Sequence, residues 1–170
     1  ADVAKSISDK MLIRHPHVFA NGVSPSISSQ NELWEDIKER ERAKKGEKRV
    51  LDGIARGLPP MLRALKLQKR AARVGFDWPN VSQVLDKLQE EAAELTAELE
   101  CPTKDQDRIK DEVGDLLFVA VNLARKAGVD PETALQACNK KFERRFNYVE
   151  RQVESNGKKL IDTSLKQMER

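Results

Sequence analysis

Aromatic side chains make up only 5% of this 170-residue chain, which also has eight glycines, seven prolines, two cysteines and two histidines. Leu, Ala, Glu and Lys are frequent instead, and that balance favours helix, because straight-chain residues lose little side-chain freedom there. Cys101 and Cys138 lie in different segments and form no metal-binding pair. They read as free thiols of a reducing compartment, with a single disulfide as the alternative. Both histidines, His15 and His17, stand near the N-terminus, which argues against a soft or histidine-rich metal site elsewhere. No apolar run approaches the ~20 residues of a membrane span, and no signal peptide is present, so a cytoplasmic protein with no membrane partner is expected. Charge of one sign is also lacking: 31 basic residues against 28 acidic give +3, too little to imply a nucleic-acid partner. The chain opens "ADVAK" without an initiator Met, as a processed form or a fragment would.

What remains is 39% hydrophobic and 35% charged, enough for one core under a heavily charged surface. Residues 3–14 can form a short helix that stops at Pro16. A loop follows at 20–30, then a helix from Glu32 with Leu33, Trp34 and Ile37 in its first half. Its later half reads as a solvated linker, broken by Gly57, Pro59 and Pro60. The rest reads as a compact helical unit. Met61, Leu62, Leu65 and Leu67 with Ala71, Ala72 and Val74 have helical spacing that stops at Gly75. Asn80 can cap a helix over 81–100, with Val81, Val84 or Leu85, Leu88, Ala92, Leu95 and Leu99 on one broad face. "CPTKDQD" interrupts before a helix over 109–128. Asp130 and Pro131 can start another through Ser155, and the tail offers one more short helix. A faint echo relates "ISDKMLIRHPHVF" to "ACNKKFERRFNYVE", which is either chance between amphipathic segments or the trace of a preceding related domain.

Chemistry centres on two pairs of acids. Glu91 and Glu94 are three apart on one helix, and Glu112 and Asp115 three apart on the next, so each pair lies roughly 60° apart around its axis. Asn122 follows Asp115 by two turns, roughly 20° away. If the two helices form a hairpin, both pairs can face one space, where crowded carboxylates need a cation. Magnesium suits an oxygen-only set. The plain alternative is a solvated acidic face, which Glu98 and Glu100 extend, with Glu112 and Asp115 as first-turn acids. Against it, Leu116, Leu117, Phe118, Val119, Ala120 and Val121 go around the whole circumference, so this helix should be buried and an acid within it needs a partner. Lys140, Lys141, Arg144 and Arg145 form a basic patch around Phe142 and Phe146, suited to phosphate oxygens or simply to water. Gln68 can offer paired amide groups, and Phe76 or Trp78 a stacking face, each with a core or capping role as the alternative.

These motifs resemble the C-terminal part of the MazG nucleoside triphosphate pyrophosphohydrolases, from about Leu58 to Glu169. The likeness rests on "MLRALKLQKRAARVGFDW", on "EEAAE" followed by "EVGDLLF", on "VNLAR" and on "NKKFERRFNYVE". It implies an all-α helical bundle of the all-alpha NTP pyrophosphohydrolase type, assembled as a homodimer with helices from both chains bordering each site. Residues 58–170 would be the catalytic domain, 21–57 a loop, helix and linker, and 1–20 the terminal helix of a preceding related domain. By position, Glu91, Glu94, Glu112 and Asp115 match magnesium ligands, for more than one Mg²⁺ per site. Glu90 matches the first glutamate of the motif, beside a ligand or the attacking water, and Lys141 and Arg145 match phosphate-side bases. Gln68, Lys69, Trp78, Asn122 and Arg144 fall at substrate-side positions. Family members continue past "KQMER" with a tryptophan and a lysine.

The implied reaction is hydrolysis of a nucleoside triphosphate to the monophosphate and pyrophosphate. Two alternatives stand beside it: a non-catalytic helical scaffold or regulatory module, and a hydrolase narrowed to a pyrimidine or damaged nucleotide.

Overall fold

A computed structural model describes residues 2–14, Ile37 and 49–168. The expected loop at 20–30, most of the helix begun at Glu32, and both histidines lie outside the described residues. The chain divides into two compact units, residues 1–54 and 55–170. In the first, helix α1 (Asp2–Arg14) carries Val3, Ile7, Met11 and Leu12, all exposed.

The second unit is all helical among its described residues, with helices at the places the periodicity marks. Helix α2 (Pro60–Ala72) begins on Pro60, whose fixed φ and missing N–H suit the first helical position. Helix α3 (Val81–Glu100) starts where Asn80 Oδ1 accepts the Gln83 N–H at 3.0 Å. Helix α4 (Gln106–Lys126) begins three residues before the expected Ile109. The cause is Asp105, whose carboxylate accepts the N–H groups of Asp107 and Arg108 at 2.9 and 3.4 Å. Helix α5 (Pro131–Ser155) has the expected Asp130 cap, on the Thr133 N–H at 2.9 Å, and Pro131 in the first turn. The tail adds a 3₁₀ turn at Leu160–Asp162 and a short helix α6 (Leu165–Met168).

Glycine terminates α4 in a way only a residue without a side chain does cheaply. Gly128 adopts φ 71°, letting Val129 N–H reach Ala124 O at 2.8 Å and its own N–H reach Arg125 O at 3.1 Å.

The most extensive packing is between α3 and α4, joined by residues 101–105 as an antiparallel hairpin. On α3 Val84, Leu88, Glu91, Leu95 and Glu98 are buried or half-buried; on α4 Ile109, Glu112, Leu116, Val119, Leu123 and Lys126 are so along one strip, beside the buried Val121 and Asn122. Both strips advance in alternating steps of three and four, the seam of a two-helix coil. Glutamates therefore stand at seam positions that packing alone would fill with leucine. Helix α2 lies across α4, with lighter contact to α5.

The buried apolar core is thin: Leu65, Val84, Val119, Val121 and Val153. Here the structure corrects one expectation. Helix α4 is not buried around its circumference within a single chain, since Leu117 is 57% exposed, Phe118 40%, and Ala120 is exposed as well. Most of the broad face expected on α3 is open too, with Val81, Leu85, Ala92 and Leu99 exposed. Among the described residues, α3 and α4 are each covered along one side and exposed along another.

Candidate metal centre

The hairpin register brings three of the four expected acids together. Carboxylate oxygens of Glu91, Glu94 and Glu112 all lie within 4.8 Å of one another. Glu91 is 5% exposed, Glu112 half-buried and Glu94 exposed, so the cluster opens from the seam to the surface. Asp115 is exposed and stands outside this trio. Its charge still reaches the cluster: partial loss of solvent, then the charges of Glu94, Glu91, Asp115 and Glu98, push the Glu112 carboxyl above the usual carboxylate range.

Three oxygens of this kind fit a hard divalent cation. An octahedral Mg²⁺ shell with bonds of about 2.1 Å places neighbouring oxygens ~3 Å apart and opposite ones ~4 Å apart. The cluster's spacing, within 4.8 Å, is of the same order as these distances, and three protein oxygens would leave other positions of such a shell to water.

Two cations border the acids, and the motif pattern did not single out either. Lys87 Nζ lies 2.6 Å from Glu90 Oε1 and 2.8 Å from Glu91 Oε1. Bonds to Glu90 and Glu91 hold the Lys87 ammonium in its charged form well beyond the ordinary lysine range, outweighing its partial burial. Arg108 pairs with Glu98 across the hairpin. Both were legible in principle, Lys87 as the residue four before Glu91 and Arg108 as the cation opposite the seam acid.

Deeper in the unit, Asn122 is 2% exposed, and its Oδ1 accepts the Arg125 Nε and Nη2 donors at 2.9 and 2.6 Å. The same Arg125 pairs with Asp77, and Lys126 Nζ lies 2.7 Å from the second Asp77 oxygen. Asp77 thus ties the turn before α3 to the end of α4. Partial burial raises its carboxyl pKa, but the bonds and charges of Arg125 and Lys126 lower it further, for a net fall. Gln68 is also buried, its Nε2 donating to Phe118 O at 2.7 Å while Oε1 is enclosed without a partner among the described residues. Trp78 is half-buried and Lys69 exposed.

The basic residues Lys140, Lys141, Arg144 and Arg145 all sit on an exposed stretch of α5. Within that stretch the rings of Phe142 and Phe146 stack at 5.9 Å with 14° between their planes. This leaves a cationic and aromatic surface facing water.

Residues 80–150 match the family model described as MazG nucleotide pyrophosphohydrolase domain. The chain is 47% identical over 168 residues to a nucleoside triphosphate pyrophosphohydrolase of Escherichia coli strain K12, covering 99% of itself and 64% of that protein. It is 38% identical over 168 residues to the nucleoside triphosphate pyrophosphohydrolase/pyrophosphatase MazG of Thermotoga maritima, covering 99% of itself and 62% of the relative. A third relative, the uncharacterized protein YabN of Bacillus subtilis, is 43% identical over 173 residues, which are 34% of its length. The chain thus spans less than two thirds of each of these proteins.

Proposed function

We propose that this protein hydrolyses nucleoside triphosphates between the α and β phosphorus atoms, a reading supported by the match of residues 80–150 to the MazG nucleotide pyrophosphohydrolase family model. Water attacks, the α–β bridging bond breaks, and the products are a nucleoside monophosphate and pyrophosphate. The observation that carries the reading is the cluster of Glu91, Glu94 and Glu112, two of which, Glu91 and Glu112, occupy positions in a largely apolar seam.

In this reading Glu91, Glu94 and Glu112 would hold Mg²⁺, with Asp115 completing the set from the next turn for more than one ion per site. Bound there, Mg²⁺ would neutralise phosphate charge and lower the pKa of a coordinated water. Glu90, or a carboxylate of the cluster, accepts the proton that the attacking water loses. Lys141 and Arg145 stabilise negative charge developing on the departing pyrophosphate, and Arg144 and Lys69 attract the polyphosphate. Gln68 and Asn122, both buried and bonded to protein, shape the nucleotide side of the site, and Trp78 offers a ring face. Two free thiols agree with a reducing, cytoplasmic setting, and no helix among the described residues is long and apolar enough to cross a membrane.

Product analysis tests the bond broken. Incubation with Mg²⁺ and each of several nucleoside triphosphates should release pyrophosphate, and Asp115→Ala should lose that turnover while keeping its circular dichroism. Release of orthophosphate sinks the proposed bond specificity. Turnover of a single pyrimidine or modified nucleotide narrows the activity to that substrate, and no turnover of any favours the scaffold reading.

A homodimer belongs to the same proposal. It is supported by the exposed Leu117 and Phe118 on α4, and by Phe142 and Phe146 on α5. Large exposed apolar patches of this kind mark association surfaces. Light scattering should give twice the chain mass at micromolar concentration, and a monomer with full activity would remove the shared-site picture.

A further inference from the structure

The most buried acid of the cluster does not await a cation without company. Glu91 Oε1 already holds the Lys87 ammonium at 2.8 Å, and the same ammonium holds Glu90 Oε1 at 2.6 Å. All three side chains rise from α3, with Lys87 one turn before the two acids, so the pairing needs no other element. The Lys87 side chain is itself only 29% exposed, and that of Glu91 only 6%, which limits screening by water.

We propose that Lys87 is a tethered counter-ion, occupying a Glu91 carboxylate oxygen when no divalent cation is bound and opposing cation entry. The inference rests on the reading of Glu91, Glu94 and Glu112 as a cation site, and adds to it the residue that sets the threshold for filling.

Physical chemistry fixes the sign of the effect. A divalent cation seated between these carboxylates would lie within a few ångströms of a unit positive charge, a strongly unfavourable arrangement in a partly buried site. Lys87 must therefore leave Glu91, or the cation binds weakly. Without Lys87 the same three carboxylates repel one another unopposed, so the empty protein is less stable and the attraction for a divalent cation is greater. A residue that merely packed α3 would lower stability with and without the cation and leave affinity unchanged.

The test uses the full chain, stripped with chelator and titrated with Mn²⁺ alone, free Mn²⁺ being followed by electron paramagnetic resonance. Relative to the unaltered protein, Lys87→Met should bind Mn²⁺ at least about tenfold more tightly. Its melting temperature should fall in chelator and return to the unaltered value in saturating Mn²⁺. Lys87→Arg, which keeps the charge, should stay close to the unaltered protein in both measurements. Equal affinity in all three proteins, or weaker binding by Lys87→Met, overturns the counter-ion role and leaves the cation site standing. Failure of every protein to bind Mn²⁺ overturns the site reading and this inference with it.

Discussion

Glu91→Gln should lower Mg²⁺-dependent pyrophosphate release on the order of 10² to 10³-fold, with helix content unchanged. The substitution keeps shape and volume while removing one negative charge from the most buried member of the cluster. An amide carbonyl is a poorer partner for Mg²⁺ than a carboxylate, and it contributes no net charge against the polyphosphate. Lys87 retains Glu90 at 2.6 Å, so the loss of its second partner leaves no buried orphan cation. Folding is therefore spared and the effect falls on the chemistry. Steady-state assays at saturating nucleotide over a Mg²⁺ series check this. A variant within threefold of the unaltered rate at all Mg²⁺ concentrations would exclude Glu91 from the site.

The second large effect is on stability. Asp77→Asn should cost about 2 kcal/mol, a drop of about 4–8 °C in melting temperature. Arg125 and Lys126 are only 12% and 17% exposed, and both lose their anion together. Asp77 has a folded-state pKa below its ordinary 3.8, because the Arg125 and Lys126 bonds and charges outweigh the opposing effect of burial. Its contribution is accordingly complete above the ordinary carboxylate range, and is lost as pH falls through the lowered folded value. Denaturant melts across an acid pH series should show the difference between the two proteins shrinking below about pH 4. A constant difference down to pH 2 would mean that the pairing contributes packing rather than charge.

Much of this architecture could be read from the chain because its signals are local. The Asn80 and Asp130 caps and the Pro131 start each depend on a few neighbouring residues, and they mark helix starts in the structure where the sequence suggests them. The cluster was legible for a related reason: spacing of three puts Glu91 with Glu94 and Glu112 near Asp115, and a short loop forces the hairpin that joins the pairs. What escaped depends on relations between helices or on the competition among caps. Asp105 captures two N–H groups and starts α4 early, although "CPTKDQD" reads as an interruption. Periodicity shows that α4 is apolar on many sides, but not that Leu117 and Phe118 are exposed. The pairing of Asp77 with Arg125 joins positions 48 residues apart in the sequence, beyond any local pattern.

The seam between α3 and α4 sets two selective pressures against one another at the same positions. Leucine at 91, 98 and 112 would continue the three-and-four pattern of Val84, Leu88, Leu95, Leu116 and Val119 and tighten the hairpin. Each such change would also erase a charge. Such substitutions gain packing at the expense of the acids and, at 91 and 98, of the Lys87 and Arg108 pairs, and demand for the acids' chemistry opposes that gain. In a lineage released from that demand, these three positions are where the decay would be expected to appear first.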